Sequence, residues 1–151
     1  MLLSCEKCYE GGAMSELLRF GVSLEQDLLE KFDHHIKNEG YTNRSEAIRD
    51  LIRKELVKKR WQEGKETAGA ITLVYNHHQR ELLAKLIDIQ HDYQQIILSS
   101  QHVHLDHDNC LEIIAVKGDA KKVDELAGKL KSLKGVKHGT LSMSTIGKDL
   151  I

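Results

Sequence analysis

Two periodicities divide this chain. Leu18, Phe20 and Val22 fall on one side of a short alternating stretch, Leu17 to Ser23, with Arg19, Gly21 and Ser23 on the other. Leu24, Leu28, Leu29, Phe32 and Ile36 then recur at helical spacing. That predicts a helix through Asn38, capped by Ser23 with Gln26 completing a capping box, and stopped by Gly40 in a left-handed conformation. Asn43-Arg44-Ser45-Glu46 predicts a second capped start. Ala47, Ile48, Leu51, Ile52 and Leu56 carry that helix to about Trp61.

Beyond Gly69 the pattern changes. Ile71, Leu73 and Tyr75 alternate in a strand from Ala70 to Tyr75. Arg80 to His91 is helical, with Leu82, Leu83, Leu86 and Ile87 or Ile89 apolar. Ile96 to His104 and Leu111 to Val116 predict a hairpin. Gly118-Asp119 opens a helix bearing Val123, Leu126, Ala127 and Leu130, which Gly135 ends, and Val136 to Met143 is a last strand. The order β-α-β-β-α-β is the ferredoxin-like plan, so the fold class is α+β. One face of such a sheet is left for a neighbour.

The first unit has a single strand, which cannot form a sheet alone. Two copies can pair their strands antiparallel and bury both apolar faces. Such a ribbon fits the major groove of DNA. Its outward residues are Arg19, Gly21 and Ser23, and Asn43 and Arg44 stand at a helix N-terminus able to hold a phosphate. A dimerisation module with a solvated charged face fits the same pattern.

Composition narrows the partners. The 151 residues carry 22 basic and 23 acidic side chains, a formal charge of -1, so any contact with nucleic acid must be local. Two small units, residues 14–63 and 69–151 joined by a linker at 64–68, each have little core and call for association. Residues 1–13 read as a disordered tail, with Met14 as a candidate start. Three cysteines cannot all pair within the chain, and the Cys5-x-x-Cys8 pair lacks a second pair for a four-thiolate zinc site. The expected compartment is reducing and cytoplasmic, with no membrane-spanning run.

The chemistry concentrates between Gln101 and Glu112. His102 and His104 share one face of a strand, and Cys110 follows a short polar turn that can bring its thiol beside them. Two imidazoles and a thiolate are three metal ligands; His91, at the end of a helix, lies upstream. Solvated histidines on an edge strand are the plainer alternative. His34, His35, His77, His78, His107 and His138 are further candidate ligands, each more simply an exposed side chain.

The run Gly40 to Asp50, with Asn43-Arg44-Ser45-Glu46-Ala47-Ile48-Arg49, resembles the second-helix start of ribbon-helix-helix repressors. Joined to His102-Val103-His104, Cys110-Leu111-Glu112 and Lys117-Gly118-Asp119, residues 14 to about 143 resemble the NikR family of nickel-responsive regulators. The resemblance implies an intertwined ribbon-helix-helix dimer and an ACT-type regulatory domain. It implies a homotetramer, a dimer of dimers, and one Ni(II) per chain. The implied ligands are His102, His104 and Cys110, with His91 from a facing subunit. Glu112 and Tyr75 would support them. Arg19, Gly21 and Ser23 would read operator bases, Gly21 departing from the side chain usual there. Glu46 and Asp50 match positions holding an accessory cation. Three imidazoles and a thiolate suit square-planar Ni(II), and also Cu(II) or a distorted Zn(II) site. A regulator responding to another transition metal, such as Cu(II), and a metal buffer or chaperone are the alternatives. A metal hydrolase lacks both an open coordination position and a nucleophile-base pair.

Overall fold

A computed structural model describes Leu18, residues 20–148 and Leu150. The 1–13 tail, Cys5, Cys8, Leu17 and Arg19 lie outside the described residues. The elements run α1 (Gln26–Asn38), α2 (Arg44–Gln62), β1 (Glu66–Asn76), α3 (Arg80–Asp92), β2 (Ile97–His104), β3 (Asn109–Asp119), α4 (Ala120–Lys131) and β4 (Val136–Met143). The sheet is antiparallel throughout, in the order β2-β3-β1-β4. This is the α+β, ferredoxin-like arrangement expected from the alternation.

The first helix differs from expectation at its start. Ser23 does not cap it: Glu25 holds the cap position without a side-chain bond, and its carbonyl accepts from Leu28 and Leu29. Ser23 stands two residues too early to reach those amides. At the other end Gly40 adopts φ +79°, and Tyr41 N–H returns to the Ile36 carbonyl, so the glycine stop forms. Asn43 caps α2 by accepting from Glu46 N–H at 2.9 Å. The reciprocal half of that box is absent, because the Glu46 carboxylate takes the Thr42 hydroxyl instead.

Residues 20–25 carry no strand ladder in the single chain. Leu18, Phe20 and Val22 are exposed, and with Leu29, Phe32 and Ile48 they line one open apolar groove. Only Ile36 of α1 is buried. Much of this unit's apolar stripe, including Leu24, Leu28, Leu51, Ile52 and Leu56, is therefore exposed among the described residues.

The linker is shorter than 64–68. β1 begins at Glu66, because β3 runs on to Asp119 and supplies partners as far as the Glu66–Asp119 pair. α3 and α4 cover one face of the sheet. Ile71, Leu73, Ile114, Val116, Leu86, Val123, Leu126 and Leu130 fill that core, and Trp61 from α2 joins it, with its indole N–H on the Ser144 carbonyl at 2.9 Å. Truncating one such side chain, Leu126→Ala for instance, costs about 2–5 kcal/mol. The opposite face carries the half-buried Val74, Val103, Leu111 and Ile113.

Candidate metal centre

Register builds the site. β2 and β3 pair so that His104 faces Cys110 and His102 faces Glu112, while β1 sets Tyr75 beside Cys110 from the other side. Directly opposed residues share a sheet face, so both imidazoles, the thiol and the phenol gather on the helix-covered side. The His102 and His104 rings are 5.1 Å apart between centroids. Because β2 is an edge strand, both rings remain exposed, whereas Cys110 is fully buried.

Behind the rings lies a polar network. Tyr75 Oη donates to Glu112 Oε2 at 2.6 Å and stands 3.4 Å from His102 Nδ1. Gln90 Nε2 donates to Glu112 Oε1 at 2.8 Å. Glu112 thus accepts from a strand on one side and from α3 on the other. Burial, and then the Glu112 carboxylate, push the Tyr75 phenol far above its ordinary range, so it stays a donor. Burial also pushes the Cys110 thiol up; its contact with Tyr75 lowers it and Glu112 raises it again. A bound cation would reverse that balance and hold the thiolate.

His91 is exposed on the last turn of α3. Among the described residues its ring makes no contact with His102 or His104, which touch each other and their own neighbours. Register thus puts three of the four expected ligands on one sheet face, with the fourth exposed on α3, while among the described residues only His78, His107 and Asp108 bring three potential ligand atoms within 4.8 Å of one another. The donor set present, two imidazoles and a thiol at an open edge with a carboxylate behind, fits a borderline ion such as Ni(II).

One neighbour was not distinguished by sequence reasoning from the other surface histidines. His77 lies 4.9 Å from His104 between ring centroids, and its buried Nδ1 has no partner. Burial holds it below the usual imidazole range, reinforced by the neighbouring histidines. Its position just past the end of β1, beside the turn before Cys110, was the available signal. His78, His107 and Asp108 gather farther out, with potential ligand atoms within 4.8 Å of one another.

In the first unit, Gly21 and Ser23 are exposed. Arg44 is engaged by Asp33 through two bonds of 2.7 and 2.6 Å, a bidentate pair that joins α2 to α1. Glu46 and Asp50 also have partners within the chain. Asp50 accepts from Tyr41 and pairs with Lys54 at 2.9 Å, so a cation there competes with a tethered ammonium.

The sequence comparisons match the chain in two stretches. Residues 19–59 match the ribbon-helix-helix, copG family, and residues 68–144 match the NikR C-terminal nickel-binding domain. A protein of Syntrophus aciditrophicus (strain SB), whose name includes the words nickel-responsive regulator, is 62% identical over 89% of this chain and 98% of its own length. Relatives with the same words in their names occur in Chlorobium phaeobacteroides, at 61% over 87% and 98%, and in Pyrococcus furiosus, at 57% over 89% and 99%. With a ribbon-helix-helix unit followed by a nickel-binding domain, and with relatives this similar along almost their whole length, the chain belongs to the NikR family.

Proposed function

We propose that the protein is a cytoplasmic, nickel-responsive transcriptional regulator that binds operator DNA when loaded with Ni(II) and represses nickel uptake genes. His102, His104 and Cys110 of one chain and His91 of a facing chain hold one Ni(II) per chain. The assembly is a homotetramer of two ribbon-helix-helix dimers joined through their regulatory domains. The observation that carries this reading is the trio on β2 and β3: two imidazoles and a thiol on one sheet face, with His91 exposed on α3. The open groove of the first unit and the uncovered sheet face supply two surfaces for association.

The mechanism is linkage. Nickel shared between chains orders the regulatory core and favours placements of the ribbon dimers that reach two half-sites. The metal must bind that arrangement more tightly than the others. Arg19, Gly21 and Ser23 read bases, and Asn43 and Arg44 meet phosphate at the start of α2. Glu112 and Tyr75 support the ligands, while Glu46 and Asp50 are the residues for an accessory cation. Cu(II) is the competing metal, since the same donors rank it above Ni(II). Selection from a random duplex pool, with Ni(II), with Cu(II) and with neither, tests the proposal. Enrichment of one palindromic sequence only with Ni(II) supports it. Equal enrichment without metal contradicts it.

A further inference from the structure

Two turns meet at one end of the sheet. β1 and β3 pair as far as Asn76 and Asn109, so the turn that leaves β1 and the turn that enters β3 lie side by side. His77 N–H donates to the Asp108 carbonyl at 3.2 Å and joins them. Each turn is also pinned from within. The Asn76 side chain accepts from His78 N–H at 2.8 Å, and Asp106 Oδ1 accepts from the amides of Asp108 and Asn109 at 2.8 and 2.7 Å.

These turns gather three metal-ligating side chains. His78 Nε2 stands 3.3 Å from His107 Nδ1 and 3.7 Å from Asp108 Oδ1, and His107 Nδ1 stands 3.8 Å from the same oxygen. Ligand atoms held at about 2.0–2.1 Å around a tetrahedral ion lie about 3.3–3.4 Å from one another, so all three are within about 0.5 Å of the separations such an ion needs. Coordination takes both imidazoles through lone pairs. His78 then carries its proton on Nδ1, and its Nε2 gives up the 3.1 Å contact with the His107 carbonyl. Among the described residues Asp108 pairs with no lysine or arginine, unlike Asp50, which Lys54 occupies. No tethered ammonium competes for its charge.

We propose that His78, His107 and Asp108 form an accessory site for a divalent transition ion, with Zn(II) favoured by the tetrahedral spacing. All three side chains are exposed, so water completes the coordination. The site shares no residue with the proposed nickel ligands and does not depend on that reading. The His77 ring stands between the two groups, 4.2 Å from His78 and 4.9 Å from His104 between centroids. The donors differ as well: two imidazoles and a carboxylate, without sulfur, so an ion here adds no thiolate band.

The test uses the full-length protein with Zn(II) alone as the probe. The protein is first saturated with Ni(II), judged by the thiolate-to-metal band. Zn(II) is then titrated by calorimetry while the band is followed. The expected result is uptake of Zn(II) by each chain with the nickel band unchanged. His78→Ala and His107→Ala should each weaken that uptake by about 10-fold or more, beyond the loss typical of an outer-shell partner, and leave the band intact. Asp108→Asn, which keeps an oxygen donor and removes the charge, should weaken it less. The three residues lie in exposed turns outside the core, so the variants keep the fold. No Zn(II) uptake beside nickel, or uptake matched by loss of the nickel band, overturns the site. So does uptake unchanged in the double variant His78→Ala/His107→Ala, which would put the ion elsewhere, at Cys5 and Cys8 for instance. If no nickel band forms at all, the nickel reading fails, and Zn(II) uptake that still falls in the double variant upholds the accessory site.

Discussion

Cys110 and His104 stand directly opposite each other across the β2–β3 ladder, while Cys110 faces Tyr75 across the β1–β3 ladder. A buried thiol is thereby fixed in register with an exposed imidazole on the same sheet face.

The thiol's environment sets a pH dependence. Burial raises its ordinary value, and Ni(II) takes the thiolate, so binding displaces a proton at any pH below that raised value. Apparent affinity should therefore rise with pH, by about tenfold per unit for each proton displaced, and flatten once the thiol ionises by itself. Competition titrations between about pH 6 and 9 measure this. In Cys110→Ala the thiolate band should disappear and the slope should fall by one proton. A band that survives Cys110→Ala but is lost in Cys5→Ala or Cys8→Ala would move the site to the N-terminal segment.

Glu112 accepts from Tyr75 and Gln90 at once, so its charge organises both sides of the site. Glu112→Gln keeps the shape and removes the charge. Nickel affinity should drop by about 10- to 100-fold, with the thiolate band retained at saturation. Isothermal titration checks the first expectation and absorption the second; unchanged affinity would reduce Glu112 to packing.

Arg19 and Arg44 should fail differently on DNA. Arg19→Ala should lose discrimination between the selected sequence and random duplex, by about 1–3 kcal/mol per base contact. Arg44→Ala should weaken both and flatten the salt dependence. Because Arg44 also holds Asp33, the same variant should unfold at lower temperature. Asp33 is kept below its usual carboxylate range by that guanidinium, so the pair's contribution to stability is present above the unfolded carboxylate value and fades as pH falls through the lower, folded one. Anisotropy titrations on both duplexes, with melting curves near neutral and at acidic pH, separate the roles.

Much of this was legible from alternation and spacing. The two-residue interval of His102 and His104 placed both rings on one face, and the six residues from His104 to Cys110 allowed the reversal that pairs them. The helix stop at Gly40 was equally plain, whereas Gly135, also at positive φ, lies beyond the Ser132 cap of α4 in the turn to β4 and does not end that helix. The start of α1 was misread because a serine two residues early looks like a cap, while the residue in that position, Glu25, caps through its carbonyl alone. β1 and β3 run longer than their hydrophobic cores because cross-strand pairing, absent from any local pattern, extends them to Glu66 and Asp119. The contacts of Tyr75 with Glu112 and of Tyr93 with Glu125 join residues more than thirty apart, at distances that no periodicity encodes.

The central claim is that each nickel joins two chains, and mixed oligomers test it most directly. His91→Ala and Cys110→Ala chains, carrying different tags, are produced together and the mixed species purified through both tags. Each parent should bind Ni(II) weakly. Where the two variants meet, one shared site has His102, His104 and Cys110 from one chain and an intact His91 from the other, and is complete. The account predicts that Ni(II) titration of the mixed species recovers tight binding at part of the sites, with the thiolate band of the unmutated protein. No recovery, in a preparation shown by native mass spectrometry to contain both chains, would contradict it and place His91 within its own chain or outside the site.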